Sequence, residues 1–73
     1  MNNKIYIKLI DVEHYEIQDF LESLRNTYKV TIERNKDTYS LVEETKQIYT
    51  DILDMKDEFG KLGKLIMVYK GGL

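Results

Sequence analysis

The 73-residue sequence has no cysteine, no proline, no tryptophan and no alanine, and it has a single histidine. Without cysteine it has neither a disulfide staple nor a thiolate metal site. At this length a core sits near the smallest that holds itself together, so apolar burial, within the chain or against a partner, must supply the stability. No run approaches the ~20 apolar residues that cross a bilayer. Residues 1–10 alternate polar and apolar side chains, which is not the pattern of a signal peptide. These absences predict one cytoplasmic domain over residues 1–73, with no cofactor and no membrane contact.

Charge is present but unevenly placed. Residues 11–25 carry five acids and one base, and residues 43–59 carry six acids and two bases. The remainder holds eight bases against Glu33 and Asp37. The acidic stretches are those with helical spacing and the basic ones read as strands, so the acids suit solvated helix faces. Usage is skewed as well, with nine Lys against two Arg, six Tyr, and abundant Ile and Asn. This AT-rich codon bias, the small size and the missing cysteine are similar to those of small uncharacterised proteins of AT-rich Gram-positive bacteria and their prophages. The resemblance is one of composition and implies no site residues.

Periodicity supplies the fold. Lys4 to Ile10 alternates, with Ile5, Ile7 and Leu9 on one face and Tyr6, Lys8 and Ile10 on the other, as a strand does. Ile17, Phe20, Leu21, Leu24 and Tyr28 recur at helical spacing, with Asp11 and Glu13 suited to the helix start and Arg25 to its last turn. Val30 and Ile32, a polar turn at Asn35-Lys36-Asp37, then Tyr39 and Leu41 form a hairpin pattern. Ser40 with Glu43 also matches a capping box, so residues 38–42 are open between a third strand and the start of the second helix. Residues 44–59 are helical in either case. Gly60 suits the helix end, and Gly63 opens a last strand, Lys64 to Lys70.

The order is strand, helix, strand, strand, helix, strand. It predicts an α+β domain of ferredoxin-like βαββαβ type, two helices on one face of a four-stranded antiparallel sheet. The expected core face carries Ile5, Ile7, Leu9, Val30, Ile32, Tyr39, Leu41, Leu65, Met67 and Tyr69.

The motifs argue against most enzymes. Gly60-Lys61-Leu62-Gly63-Lys64 is similar to a phosphate-binding P-loop and to the GXXG loop of KH domains. It has two residues between its glycines where a P-loop has four, and Leu65 stands where that loop needs Ser or Thr. It also enters a β-rich run, whereas a KH loop joins helices. His14 has no cysteine beside it, so a metal site would rest on carboxylates alone, and none is expected. It should lie at the solvent edge of the first helical turn. No nucleophile, base and orienting group converge, so no catalytic residue is expected. The closing Gly71-Gly72 resembles the tail of ubiquitin-like and sulfur-carrier proteins, but Leu73 follows it and the element order differs. A flexible end accounts for it.

The open sheet face is where function is expected. In this register it presents Tyr6, Ile10, Val42, Ile66 and Val68, with Lys8, Thr31, Glu33 and Ser40 among them. Apolar side chains on both faces of an edge strand are unusual in water. A patch on the order of 300–500 Å² marks an interaction site on a monomer. The expected function is a non-enzymatic interaction module, a homodimer or an accessory regulatory protein, binding through this face and the last strand. The alternative comes from Ile5-Tyr6-Ile7-Lys8-Leu9-Ile10, which resembles the first-strand signature of RNA-recognition motifs. That resemblance implies single-stranded nucleic-acid binding by Tyr6, with Lys4, Lys8, Lys64 and Lys70 at the phosphates. Leu9 departs from the Asn usual in the signature, and this register leaves Tyr6 without an aromatic neighbour.

Overall fold

The computed structural model describes residues 3–71, apart from the side chain of Lys46. It is an α+β fold built on a four-stranded antiparallel sheet. Strand β1 spans Lys4–Leu9. A 3-10 turn at His14–Ile17 leads into helix α1, Gln18–Tyr28. Strands β2, Glu33–Asn35, and β3, Thr38–Val42, form a hairpin. Helix α2, Lys46–Glu58, is followed by the one-turn helix α3, Lys61–Lys64, and by strand β4, Ile66–Gly71. The sheet order is β2-β3-β1-β4, which puts β1 and β3 inside and β2 and β4 at the edges.

Alternation in β1 decides which face is covered. Ile5, Ile7 and Leu9 are buried with Tyr39 and Leu41 from β3, with Phe20, Leu21 and Leu24 from α1, and with Ile48 and Ile52 from α2. Each such side chain contributes about 1.5–3 kcal/mol on full burial. Phe20 and Phe59 meet edge to face at 5.3 Å, tying α1 to the end of α2. The first helix begins later than the acids suggest. Glu13 and Glu16 form a capping box around the 3-10 turn, and the regular helix starts only at Gln18. The hairpin reading of residues 38–42 holds, and the Ser40–Glu43 pair caps nothing.

Three expectations are corrected. Val30 and Ile32 precede β2 rather than forming it, though both pack half-buried against the core. Gly63 does not open the last strand, because it lies inside α3. The third correction is the parity of β4. Ile66 is 4% exposed and belongs to the core, and Val68 is half-buried against it, whereas Met67 is 49% and Tyr69 38% exposed. Pairing explains this: Met67 lies opposite Lys8 and Tyr69 opposite Tyr6, while Ile66 lies opposite the buried Leu9. Leu65 is consumed as the C-cap of α3, and its carbonyl accepts the Ile10 amide at 2.9 Å.

The helix layer also carries a polar tie. The Tyr28 hydroxyl donates to Asp51 Oδ2 at 2.6 Å, joining the end of α1 to α2. Burial, and then this bond, raise the Tyr28 phenol from 10.0 to about 12. The same bond, with a second from Gln47 Nε2, lowers Asp51 below the usual carboxylate range. Between pH ~10 and ~12 the folded chain keeps a proton that the unfolded chain has lost, so stability falls as pH rises through that window. Tyr28→Phe should flatten this alkaline fall, as read by urea midpoints at a series of pH values. An unchanged slope would show that Tyr28 titrates alike folded and unfolded. The Asp51 contribution has the opposite sense: it is present above the ordinary carboxylate value and lost as pH falls below it.

Candidate functional site

The face of the sheet away from the helices is uncovered. Its side chains follow from the pairing, since residues opposite each other share a face. One row runs Glu33, Ser40, Tyr6 and Tyr69, and the next Asn35, Thr38, Lys8 and Met67. A third joins Val42, Lys4 and Gly71.

Tyr6 and Tyr69 are the centre of this face. Their rings stack at 5.2 Å between centroids, inclined by 19°. The offset-stacked arrangement is favourable and adds about 0.5–1.5 kcal/mol beyond area burial. Gly71 makes room for it, because a Cβ there would run into the Tyr6 ring. That is the structural use of the first glycine of the closing pair, which ends β4 instead of forming a flexible end. Gly72 and Leu73 lie outside the described residues. Beside the tyrosines, an open groove of about 530 Å³ extends across Ser40 to the β2–β3 turn, where Arg34 and Lys36 stand at its far end. Lys36 takes a left-handed φ of 59° in that turn.

The structure keeps two of the five expected interaction residues on this face, Tyr6 and the exposed Val42. Ile10 is exposed just beyond the end of β1. Ile66 and Val68 leave the site with the change of parity. Met67 and Tyr69 replace them, and neither was readable there because residues 65–69 are apolar or aromatic on both faces. Of the four lysines, Lys4 lines the groove and Lys8 shares the face. Lys64 lies in α3, away from the tyrosine-bearing row. Lys70 points to the helix side, 4.9 Å from the Tyr49 ring centroid.

Lys70 is engaged there by a buried acid. Glu43 is 6% exposed, and its Oε2 lies 3.4 Å from Lys70 Nζ but accepts no well-aligned hydrogen bond. The pair is a charge contact rather than a hydrogen bond. His14, expected at the solvent edge, is half-buried, with Nδ1 2.7 Å from the Tyr39 hydroxyl and the two rings edge to face. It fastens the 3-10 turn to β3. Among the described residues no three His, Asp or Glu side chains group so as to hold a metal ion. No described helix is long and apolar enough to cross a membrane.

The edges of the sheet differ as much as its faces. The Leu9 amide donates toward β3, to Asp37, and the Ile10 amide toward β4, to Leu65. Backbone groups alternate in direction along a strand, so those of Lys4, Tyr6 and Lys8 point at β4 and pair with Gly71, Tyr69 and Met67. The N–H and C=O groups of Ile66, Val68 and Lys70 therefore point outward from β4. No family model matches the sequence, and no curated protein and no solved structure matches the chain.

Proposed function

We propose that this chain is a small non-enzymatic interaction module of ferredoxin-like βαββαβ fold that pairs, through β4, with a second copy of itself. The sheet order, with a helix following β1 and another following β3, supports the fold reading. The engagement of the single imidazole with Tyr39 supports a non-catalytic role for His14.

The observation that carries the function is the contrast between the two edges. Edge β2 is three residues long, Glu33, Arg34 and Asn35, all exposed and two of them charged. Short, charged edges resist pairing with other chains. Edge β4 is six residues long, without proline, and carries exposed Met67 and Tyr69 beside its outward backbone groups. An edge of that kind is a template for another strand. Antiparallel self-pairing about Val68 sets Ile66 opposite Lys70 of the second copy and Val68 opposite Val68. Met67 then faces Tyr69 of the second copy, so each covers the other's exposed side chain. Each of the three outward-facing pairs exchanges two backbone hydrogen bonds. At about 0.5–1.5 kcal/mol per bond, the gross gain is roughly 3–9 kcal/mol. Association costs about 4–15 kcal/mol, so the dimer is weak without the Met67–Tyr69 contacts.

Proline separates edge from core. Because the Val68 amide points outward, Val68→Pro removes no hydrogen bond within the sheet, and edge strands tolerate proline at such positions. Wild type should sediment as a concentration-dependent monomer–dimer mixture, and Val68→Pro as a monomer with an unchanged circular dichroism spectrum. A wild type that remains monomeric at the highest attainable concentration would refute self-pairing.

A further inference from the structure

Charge is segregated across this molecule in a way that its net value of −2 conceals. The acids crowd the helical stretches, whereas Lys4 and Lys8 stand on the open sheet face and Lys36 in the turn at the end of its groove. Glu33 and Asp37 are the carboxylates at that groove, so the face carries an excess of cations on an acidic chain. At its centre the Tyr6–Tyr69 stack is seated on Gly71 and needs no rearrangement to receive a further ring. A flat aromatic platform within a cationic groove matches the requirements of unpaired nucleotides. Every base has a π-face to stack, and the phosphates follow the positive side chains. A duplex offers no free base face to such a platform.

We propose that the Tyr6–Tyr69 platform and its groove bind single-stranded nucleic acid. A base continues the stack from the exposed Tyr69 ring, and phosphates lie along Lys4, Lys8 and Lys36. The polar side chains beside the rings, Ser40 and Thr38 among them, are too few to read a sequence, so binding is tolerant of base identity. The site is formed within one chain, and self-pairing through β4, which sets Met67 of a second copy against Tyr69, competes with it.

The test is fluorescence anisotropy with a labelled mixed-sequence single-stranded oligonucleotide, titrated at several salt concentrations. Binding should be tighter than the 10⁻⁴–10⁻⁶ M of non-specific contacts and should weaken with added salt. Tyr69→Ala should weaken it by about 5–150-fold, the equivalent of one lost stacking contact, and Tyr69→Phe should not. Lys8→Ala should reduce the slope of log affinity against log salt by about 0.7. Lys8→Glu alters an exposed side chain only and should abolish binding in a folded protein. The monomeric Val68→Pro variant, in which nothing covers Tyr69, should bind at least as tightly as wild type, and unlabelled duplex should not compete. The proposal is overturned if wild type shows no salt-sensitive binding, or if Tyr69→Ala and Lys8→Glu bind unchanged. It is also overturned if a protein ligand covers this face and oligonucleotide does not compete with it.

Discussion

Ile66→Lys will unfold the protein, and Met67→Lys, one position further, will leave it folded. Ile66 sits in the core opposite Leu9, at 4% exposure, so the substitution forfeits about 1.5–3 kcal/mol of apolar burial. It also places an ammonium among the apolar side chains of the core, which costs several kcal/mol more unless the group loses its proton. A chain of this size has roughly 4–11 kcal/mol in all, at about 0.05–0.15 kcal/mol per residue. The loss therefore consumes most or all of the stability. Met67 is half exposed on the open face, where a lysine joins Lys8 in water. Circular dichroism and urea titration of the two variants decide it. The reverse outcome, a folded Ile66→Lys and an unfolded Met67→Lys, would mean that β4 presents its other face to the helices.

Gly63→Ala is the second large effect, and it contrasts with Gly60→Ala nearby. A Cβ at Gly63 would overlap the carbonyl oxygen of Lys56, a backbone atom in α2 that cannot swing aside. Either α3 lifts off α2 or the end of α2 distorts, and in both cases the entry into β4 shifts. Overpacking typically costs about 1–3 kcal/mol, and a backbone obstacle belongs at or above the upper end. Gly60 has open space around it and resists substitution only through its backbone, whose φ of 61° with ψ of −120° is a conformation essentially confined to glycine and costs an L-residue about 1–3 kcal/mol. Each kcal/mol moves the midpoint of a domain this size by about 4–8 °C. Gly63→Ala should therefore melt at least 10 °C below wild type and below Gly60→Ala. A Gly63→Ala midpoint within a few degrees of wild type would show that α3 is not seated against Lys56.

These two experiments probe the same weakness in reading the chain from its residues. In β1 every second side chain is polar or half-exposed, so its parity was legible without a partner. The stretch Leu65-Ile66-Met67-Val68-Tyr69 has no such alternation, and either face could be buried. The chain enters β4 from α3, where Gly63 lies close against the Lys56 carbonyl, a tertiary contact that local propensity does not encode. The site inherited the error. The alternation of β1 places Tyr6 on the open face, whereas the unbroken apolar run of β4 leaves the face of Tyr69 open to either reading. One signal was available: a glycine at position 71, two residues beyond an aromatic, is what a flat ring on the adjoining strand requires. The Glu43–Lys70 contact gave no such help, since neither the burial of Glu43 nor its partner is encoded within its own segment.

The blunted β2 edge sets how large an assembly can grow. A sheet with two adhesive edges adds copies head to tail without limit and becomes a filament. In this fold the hairpin edge is three residues of exposed, mostly charged chain, so pairing through β4 consumes the long edge of each copy at once. The proposed contact would be isologous, and the two β2 strands would become the outer rims of an eight-stranded sheet. If β4 pairs as proposed, lengthening β2 with uncharged residues would remove that stop and turn a dimer into a chain that polymerises.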